Sequence, residues 1–240
     1  MHIDFNAEEG FIIPVDKPYG WTSADVVRKV KRILRTVPEW RNSKVGHAGT
    51  LDPLATGVLL VCVGKATKQA ERLQAEEKEY VAGIRLGATT PSFDLEKEID
   101  HTYPFEHITR EAVAHALQQL TGTHEQIPPV FSAKLIAGKR AYELARAGQE
   151  AKMKPAVVTI YELELQQFAL PDIILRITCS KGTYIRALAR DLGATLQSGG
   201  HLTGLRRTRS GKYHVSNAFC IADIENALKT WEIEKNTISL

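Results

Sequence analysis

The 240-residue sequence has little cysteine and no long apolar run. Its cysteines, Cys62, Cys179 and Cys220, are far apart and odd in number, so they form neither a CxxC pair nor a disulfide framework. The longest strongly apolar stretch, residues 58–63, has the length of a strand and not the ~20 residues of a membrane span. The first ten residues lack the basic-then-apolar pattern of a secretory signal. These absences favour a protein of the reducing cytoplasm.

The net charge of +3 is too small to indicate a polyanionic partner by itself, but the charges are unevenly distributed. Residues 71–100 hold eight acidic and four basic side chains, whereas residues 126–155 hold six basic and two acidic ones. Residues 28–35 hold five bases, residues 206–212 hold four, and neither segment has an acid. Clusters of this kind matter more than the sum for binding phosphates.

The apolar fraction of 43% is sufficient for a sizeable core, and no repeat or flexible linker divides the chain. The length fits one fair-sized domain or two small ones, and the order of the periodic segments predicts an α+β fold. The predicted strands are residues 11–16, 57–63, 80–86, 157–168, 173–179 and 213–215. The predicted helices are residues 22–35, 109–120, 140–147 and 184–196, with a short one from residue 221, while residues 128–138 are predicted to be a loop.

The densest functional signal is residues 46–57, Gly-His-Ala-Gly-Thr-Leu-Asp-Pro-Leu-Ala-Thr-Gly, which directly precede an apolar strand. Three glycines and a proline give this backbone fixed, unusual dihedral angles. Asp52 precedes the proline and is therefore biased to an extended conformation. The pattern is typical of a carboxylate presented by a rigid loop, and equally of a tight turn that Asp52 caps. A P-loop is excluded because no Gly-Lys-Ser/Thr ending is present.

This segment resembles the catalytic motif of the TruB family of tRNA pseudouridine synthases. Five further blocks resemble family segments in the same order, so that the resemblance covers roughly residues 11–217. They are Asp-Lys-Pro-Tyr-Gly-Trp-Thr-Ser (16–23), Lys-Glu-Tyr (78–80), Gln-Ile-Pro-Pro-Val-Phe-Ser-Ala (126–133), Ser-Lys-Gly-Thr-Tyr-Ile-Arg (180–186) and Leu-Thr-Gly-Leu-Arg-Arg (202–207). The resemblance implies the pseudouridine synthase fold, a mixed, mainly antiparallel sheet flanked by helices, in a single catalytic domain over residues 1–240. It also implies a mobile RNA-clasping insertion at about residues 124–155.

The resemblance also implies a reaction, the isomerisation of the T-loop uridine at position 55 of tRNA to pseudouridine. The base flips into a pocket, the glycosidic bond breaks, the uracil rotates and a C1′–C5 bond forms. No cofactor and no metal are expected, and the sequence agrees because it has no metal-spaced His/Cys cluster and no dinucleotide fingerprint. The expected partner of a monomeric enzyme is the T-arm stem-loop of tRNA, without a membrane or an obligate protein partner.

Three residues carry the implied catalysis. Asp52 attacks the base, attacks the sugar or assists elimination. Arg186 is expected to pair with this carboxylate and orient it, and its alternative is a surface arginine on a helix. Tyr80 is expected to stack on the flipped uracil or take part in proton transfer, unless it is an ordinary half-buried strand tyrosine.

Other residues are implied in the uridine pocket. His47 would occupy the place that the flipped base leaves, or would only hydrogen-bond its own glycine-rich turn. Tyr184 and Lys181 would contact the base or a phosphate, and Leu205 would form an apolar wall or belong to the core. The RNA-binding residues predicted from the basic clusters are Arg28, Arg32, Lys134, Lys139, Arg140, Arg206 and Arg207.

One feature departs from many family members, which carry an additional PUA-type RNA-binding domain at the C-terminus. The tail of about residues 218–240 is too short for such a domain, so the sequence predicts a short form without it. Two other functions are alternatives, a non-catalytic tRNA-binding protein or RNA folding chaperone and a carboxylate-based nucleoside hydrolase. The set of Asp52, Tyr80 and Arg186 argues against the first as the sole role, and the basic clusters with the clasping insertion argue against the second.

Overall fold

The computed structural model describes residues 3–5, 10–131, 135–136, 139–140 and 153–238. Much of the predicted RNA-clasping insertion, including Lys134 and the helix predicted at residues 140–147, therefore lies outside the described residues apart from short segments. Among the described helices, none combines the length and apolar character needed to cross a membrane.

The described elements alternate irregularly between strands and helices along the chain. The strands are β1 (Ile12–Lys17), β2 (Val45–Ala48), β3 (Ala55–Val63), β4 (Lys78–Leu86), β5 (Ala88–Thr89), β6 (His101–Thr102), β7 (Gly122–Gln126), β8 (Leu135–Ile136), β9 (Lys139–Arg140), β10 (Ala156–Ala169), β11 (Asp172–Cys179), β12 (Gly200–Ser210) and β13 (Tyr213–His214). The α-helices are α1 (Ser23–Leu34), α2 (Ala70–Ala75), α3 (Arg110–Leu120), α4 (Ile185–Thr195) and α5 (Ile221–Ile238).

The chain folds as two compact units, one of residues 1–79 and 206–240 and the other of residues 80–205. In the first unit, β3 pairs antiparallel with β1 and with β2, and β13 pairs with the end of β12. Every residue of β3 except Thr56 is buried, as its continuous apolar sequence predicts for a central strand. The core beneath it includes Val58, Leu60 and Cys62.

Helix α1 forms where the sequence predicts it. Thr22 accepts a hydrogen bond from the backbone N–H of Asp25, whose side chain in turn accepts from the Thr22 N–H, which completes a capping box. Val26, Val30 and Ile33 recur on one buried face of the helix. On the other side of the helix, Lys31 and Arg32 are exposed, whereas Lys29 pairs with Glu225 at 2.6 Å.

In the second unit, the strands follow the order β4-β11-β10-β7, in which β10 pairs antiparallel with both β11 and β7. The inward residues of β4 alternate with partly exposed ones, and the side chains of Ile84, Leu175 and Ile177 are fully buried. Helix α3 begins after Thr109, whose side chain accepts from the Ala112 N–H. The predicted α+β class with a mixed, mainly antiparallel sheet flanked by helices is confirmed.

Several elements differ from the prediction. The polar edge strand β7 and the arginine-rich β12 lack the apolar alternation that marks a strand, and both were missed. Part of the predicted Gly-rich loop is strand β2, and part of the loop predicted at residues 128–138 is strand β8. The helix from Ile221 is not short, because α5 extends to Ile238 and includes most of the predicted tail. The single-domain assignment stays a prediction.

Candidate active site

The predicted site residues are divided between the two units. Those in the first unit are His47, Asp52, Arg206, Arg207, Arg28 and Arg32. Those in the second unit are Tyr80, Arg186, Tyr184, Lys181, Leu205, Lys139 and Arg140, together with Lys134, which lies outside the described residues. The geometry of each set is described separately.

Asp52 is half-buried in a loop whose flanking residues are both held by distant side chains. On one side, the Ser23 hydroxyl accepts from the Leu51 N–H at 2.9 Å and donates to the Leu51 carbonyl at 3.1 Å. On the other side, the Lys17 ammonium donates to the Pro53 carbonyl at 3.2 Å. The Asp52 carbonyl itself accepts from the Ala55 N–H at 3.1 Å, which closes a turn. The loop therefore presents its carboxylate from a fixed backbone.

Lys17 is completely buried at the end of β1. Its ammonium also donates to the carbonyls of Pro18, at 3.0 Å, and Trp21, at 2.6 Å. Burial lowers the pKa of Lys17 from 10.5 to about 8, and the negative charge of Asp52 opposes this shift. The ammonium is thus both a structural donor for three carbonyls and a positive charge beside the candidate catalytic carboxylate.

Arg207 does not lie at the surface, and the prediction that it contacts RNA is wrong in this structure. Its side chain is 1% exposed and donates to the carbonyls of Val58 at 2.7 Å and Gly49 at 2.9 Å. A guanidinium that is buried and bonded to backbone cannot reach a phosphate. Instead, Arg207 joins the glycine-rich loop to strand β3.

Gly57, at the end of the same loop, shows how tightly β3 approaches β12. Its φ is +103°, and a Cβ at this position would lie 2.2 Å from the Arg207 carbonyl oxygen. Any side chain would collide with backbone, so only glycine fits. This close approach fixes the start of β3 directly after the Asp52 loop.

His47 lies on β2 opposite Val61 of β3 and is half-buried. Burial, with a smaller effect of the nearby Arg207 charge, lowers the pKa of His47 below its usual 6.5, so the ring is neutral at pH 7. Among the described residues, nothing hydrogen-bonds its buried Nδ1 atom. The alternative, in which His47 only hydrogen-bonds its own glycine-rich turn, therefore has no supporting hydrogen bond at Nδ1.

The other predicted RNA-binding residues of the first unit lie at the surface. Arg206 makes a bidentate pair with Asp16, at 2.7 and 3.1 Å, while its side chain stays 43% exposed. Arg28 is 70% exposed and pairs with Asp25 on its own helix. Arg32 is exposed. All three remain accessible to a ligand.

In the second unit, Arg186 is a buried residue in the first turn of α4 and not a surface arginine. Its guanidinium donates to the Phe131 carbonyl at 2.9 Å and to the Ser92 carbonyl at 3.3 Å. The Asp94 carboxylate lies 3.7 Å from its Nε. These contacts orient the guanidinium from two directions. The predicted pairing with Asp52 stays a prediction.

Tyr80 and Tyr184 differ in exposure. Tyr80, on β4, is 8% exposed, so it is more buried than the ordinary half-buried strand tyrosine of the alternative interpretation. Tyr184 is half-buried immediately before α4, where Gln126 accepts from its N–H at 2.8 Å and donates to its carbonyl at 3.2 Å. Lys181 is exposed and Leu205 is half-buried. Lys139 and Arg140 form β9 opposite β8, and their side chains are outside the described part of the structure.

Sequence reasoning gave no role to three residues that position the candidate site. Lys17 and Ser23 lie within the block at residues 16–23, and Asp94 precedes an acidic segment. For Lys17 and Ser23, the available signal is the block at residues 16–23, which resembles a family segment. Within the described ranges, no group of three or more His, Cys, Asp or Glu side chains could hold a metal ion.

Comparison with known proteins identifies the class. The fold is that of pseudouridine synthases, and the crystal structure of a Cbf5–Nop10–Gar1 complex contains a chain that matches 95% of this one with a TM-score of 0.72 and 29% identity. This chain spans 57% of that longer chain. The structure of an H/ACA RNP bound to a substrate RNA containing 2′-deoxyuridine gives a TM-score of 0.70 with 26% identity, over 98% of this chain and 58% of the other.

Sequence models are more specific. Residues 31–185 match the N-terminal domain of the TruB family of pseudouridylate synthases, and residues 186–239 match the tRNA pseudouridylate synthase B C-terminal domain. The tRNA pseudouridine synthase B of Phocaeicola vulgatus is 54% identical over 96% of this chain and 98% of its own. That of Thermobifida fusca is 48% identical over 89% of this chain and 73% of its own. The chain belongs to the TruB family.

Proposed function

We propose that this protein converts the T-loop uridine at position 55 of tRNA to pseudouridine. The observation that carries the proposal is the half-buried Asp52, held between the clamped residues Leu51 and Pro53 in a loop that ends at β3. Relatives at 54% and 48% identity are tRNA pseudouridine synthases, which supports the same substrate class. The reaction needs a carboxylate in a fixed position, and this loop supplies one.

The chemistry is an isomerisation. The C1′–N1 bond breaks, the uracil turns within the pocket, a C1′–C5 bond forms, C5 loses its proton and N1 gains one. Positive charge develops at the sugar or a nucleophile is needed at the base, and Asp52 serves either requirement. The Lys17 ammonium and the Asp52 carboxylate attract each other.

The other site residues act around this carboxylate. Tyr80 stacks on the flipped uracil and assists proton transfer, and the Arg186 guanidinium, oriented by Asp94 and two carbonyls, pairs with Asp52. The neutral His47 ring occupies the vacated stack. Leu205 forms the apolar wall, and Tyr184 and Lys181 contact the base or a neighbouring phosphate.

RNA is held by the accessible cations Arg28, Arg32 and Arg206, and by Lys134, Lys139 and Arg140 of the insertion. No obligate protein partner or cofactor is proposed, and the enzyme acts as a monomer on the T-arm stem-loop. The cytoplasm, where tRNA is processed, is the proposed location. The insertion contacts tRNA, so hydrogen exchange within it should slow when tRNA is added.

The test is chemical mapping of pseudouridine in unmodified tRNA after incubation with wild type and with Asp52→Asn. Wild type should modify one T-loop uridine and Asp52→Asn none, although it should still bind tRNA. Asp172→Asn is the matched control, because that carboxylate pairs with Arg85 at the surface and should be dispensable. Binding without product by wild type would instead indicate a non-catalytic tRNA-binding protein, and release of free uracil would indicate a hydrolase.

A further inference from the structure

A second basic surface lies at the far end of helix α1. Lys31, Arg35, Arg41 and Asn42 line a concavity of about 530 Å³ in the first unit. We define it as the α1 concavity. All four residues are exposed.

The cations of the α1 concavity have no acidic partners within the described residues. The ion pairs of helix α1 and of the loop after it involve neither Lys31, nor Arg35, nor Arg41. The nearby Glu39 carboxylate is engaged by Lys235. Three positive charges around one hollow, without an ion pair to any described acid, produce a positive potential that attracts a polyanion.

The loop that carries Arg41 and Asn42 is firmly held. Trp40, 8% exposed, donates from its indole Nε1 to the Phe5 carbonyl at 3.2 Å and packs edge-on against Phe11, with ring centroids 4.9 Å apart. Consecutive turns join Trp40 to Val37 and to Ser43 through backbone hydrogen bonds of 3.1 and 3.0 Å. The hollow is therefore preorganised, and binding there needs little ordering.

Helix stabilisation alone does not account for the cluster. Lys31, in the last turn of α1, offsets the partial negative charge of the helix C-terminus. That charge amounts to roughly half an elementary charge, however, and one cation suffices to offset it. Arg41 lies beyond the helix, and Asn42 adds an amide that donates and accepts hydrogen bonds without charge. Phosphate oxygens together with ribose hydroxyls match this combination.

The direction of α1 connects the concavity to the candidate active site. The N-terminal residue of the helix, Ser23, bonds to Leu51 beside Asp52. At 1.5 Å per residue, Lys31 lies about 12 Å and Arg35 about 18 Å further along the helix axis. Arg28 and Arg32 are exposed between these ends. A line of cations thus leads away from Asp52 towards the hollow.

We propose that the α1 concavity binds the phosphodiester backbone of the tRNA substrate at a distance from the reactive uridine. The proposal rests on the proposed function, since it assigns a further contact to the same substrate. Phosphate contacts of this kind position the RNA without reading its sequence. An acidic protein partner is the competing occupant, and the experiment below separates the two.

The experiment compares tRNA affinity over a range of salt concentrations for wild type, for Lys31→Gln/Arg35→Gln/Arg41→Gln and for a matched control. The control, Lys68→Gln/Arg72→Gln/Lys229→Gln, removes the same charge from exposed positions of the first unit. Each lost phosphate contact reduces the slope of log Kd against log salt by about 0.9. The triple variant of the α1 concavity, called the concavity variant, should have a slope that is lower than that of wild type by about 2 to 3. At low salt it should bind tRNA more weakly than wild type by a factor of about ten or more. The control should keep the slope and Kd of wild type.

Two further arms complete the test. The single charge reversal Arg41→Glu should weaken tRNA binding more than Arg41→Gln does, and a single-stranded oligonucleotide of the T-loop sequence should bind equally to all variants. An unchanged slope in the concavity variant, or an equal loss in the control, overturns the proposal and leaves an acidic protein as the occupant. Pseudouridine formation by wild type is measured separately. Absence of pseudouridine would contradict the proposed function, whereas an unchanged salt slope would contradict the proposal for the α1 concavity.

Discussion

The buried Lys17 gives a pH-dependent prediction that depends on a single group. Lys17→Met keeps much of the side-chain volume and removes the ammonium that donates to three carbonyls. In the folded protein the pKa of Lys17 is about 8, whereas in the unfolded chain it is close to 10.5. Between these values the unfolded state binds more protons than the folded state. The contribution of Lys17 to stability therefore rises with pH over this window.

The magnitude follows from the two pKa values. Below pH 8 both states are protonated and the folded protein bears the full cost of a buried charge. Linkage gives a gain for wild type over Lys17→Met of about 2 kcal/mol between pH 7 and pH 9.5. The loss of packing and of hydrogen bonds in the variant adds a constant offset, so the change with pH is the informative quantity.

The assay is urea unfolding of both proteins at pH 7 and pH 9.5, with the free energy of unfolding compared at each pH. Titration of other groups is common to the two proteins and cancels in the difference. Lys65→Met is a suitable control, because Lys65 is exposed in the same unit and should give no pH-dependent difference. A difference between wild type and Lys17→Met that is constant with pH would refute the burial of a charged Lys17.

Three other substitutions test the contacts that hold the candidate site. Ser23→Ala leaves the N–H and the carbonyl of Leu51 without the hydroxyl that bonds both. It should therefore destabilise the protein by about 1–3 kcal/mol and lower pseudouridine formation. Gly57→Ala should destabilise far more than Gly122→Ala, since both glycines have a φ near +100° but only the first meets backbone atoms. Asp94→Asn should slow the reaction at saturating tRNA by loosening Arg186, with little change in tRNA affinity.

Each of these predictions has an outcome that contradicts it. For Ser23→Ala, the contradicting outcome is a free energy of unfolding in urea and a rate of pseudouridine formation that both equal those of wild type. For the glycine pair it is an equal loss of thermal stability, which would mean that φ strain and not the collision with β12 decides the cost. For Asp94→Asn it is a loss confined to tRNA affinity, measured by equilibrium binding.

Local patterns were the part of the fold that could be predicted from sequence. The capping box of α1 and its buried face at i, i+4 and i+7 involve residues close in the chain, and the helix forms within the predicted range of residues 22–35. The continuous apolar run of β3 likewise indicates a central strand. By contrast, β12 reads Gly-His-Leu-Thr-Gly-Leu-Arg-Arg-Thr-Arg-Ser, and its place in the sheet depends on partners elsewhere in the chain.

The candidate site shows the same limit more sharply. A rigid loop presenting Asp52 was predictable from its glycines and proline. The burial of Arg207 was not, because an arginine in a basic cluster has the same sequence signature whether it faces solvent or donates to backbone carbonyls 149 and 158 positions away. The role of Lys17 was not predictable for the same reason, since its distant carbonyl acceptor, on Pro53, lies 36 residues further along the chain.

The loop of Asp52 is consequently short in sequence but fixed by the whole first unit. Leu51 is bonded to α1 through Ser23, and Pro53 is bonded to β1 through Lys17. Further back in the loop, Gly49 is bonded to β12 through Arg207. Releasing the loop requires breaking contacts to three separate elements, including those of two buried cations whose partners would be left unsatisfied. Each of these contacts adds to the free energy of local opening. A carboxylate held in this way stays in position while a base leaves its stack and turns beside it, which is what the proposed isomerisation requires.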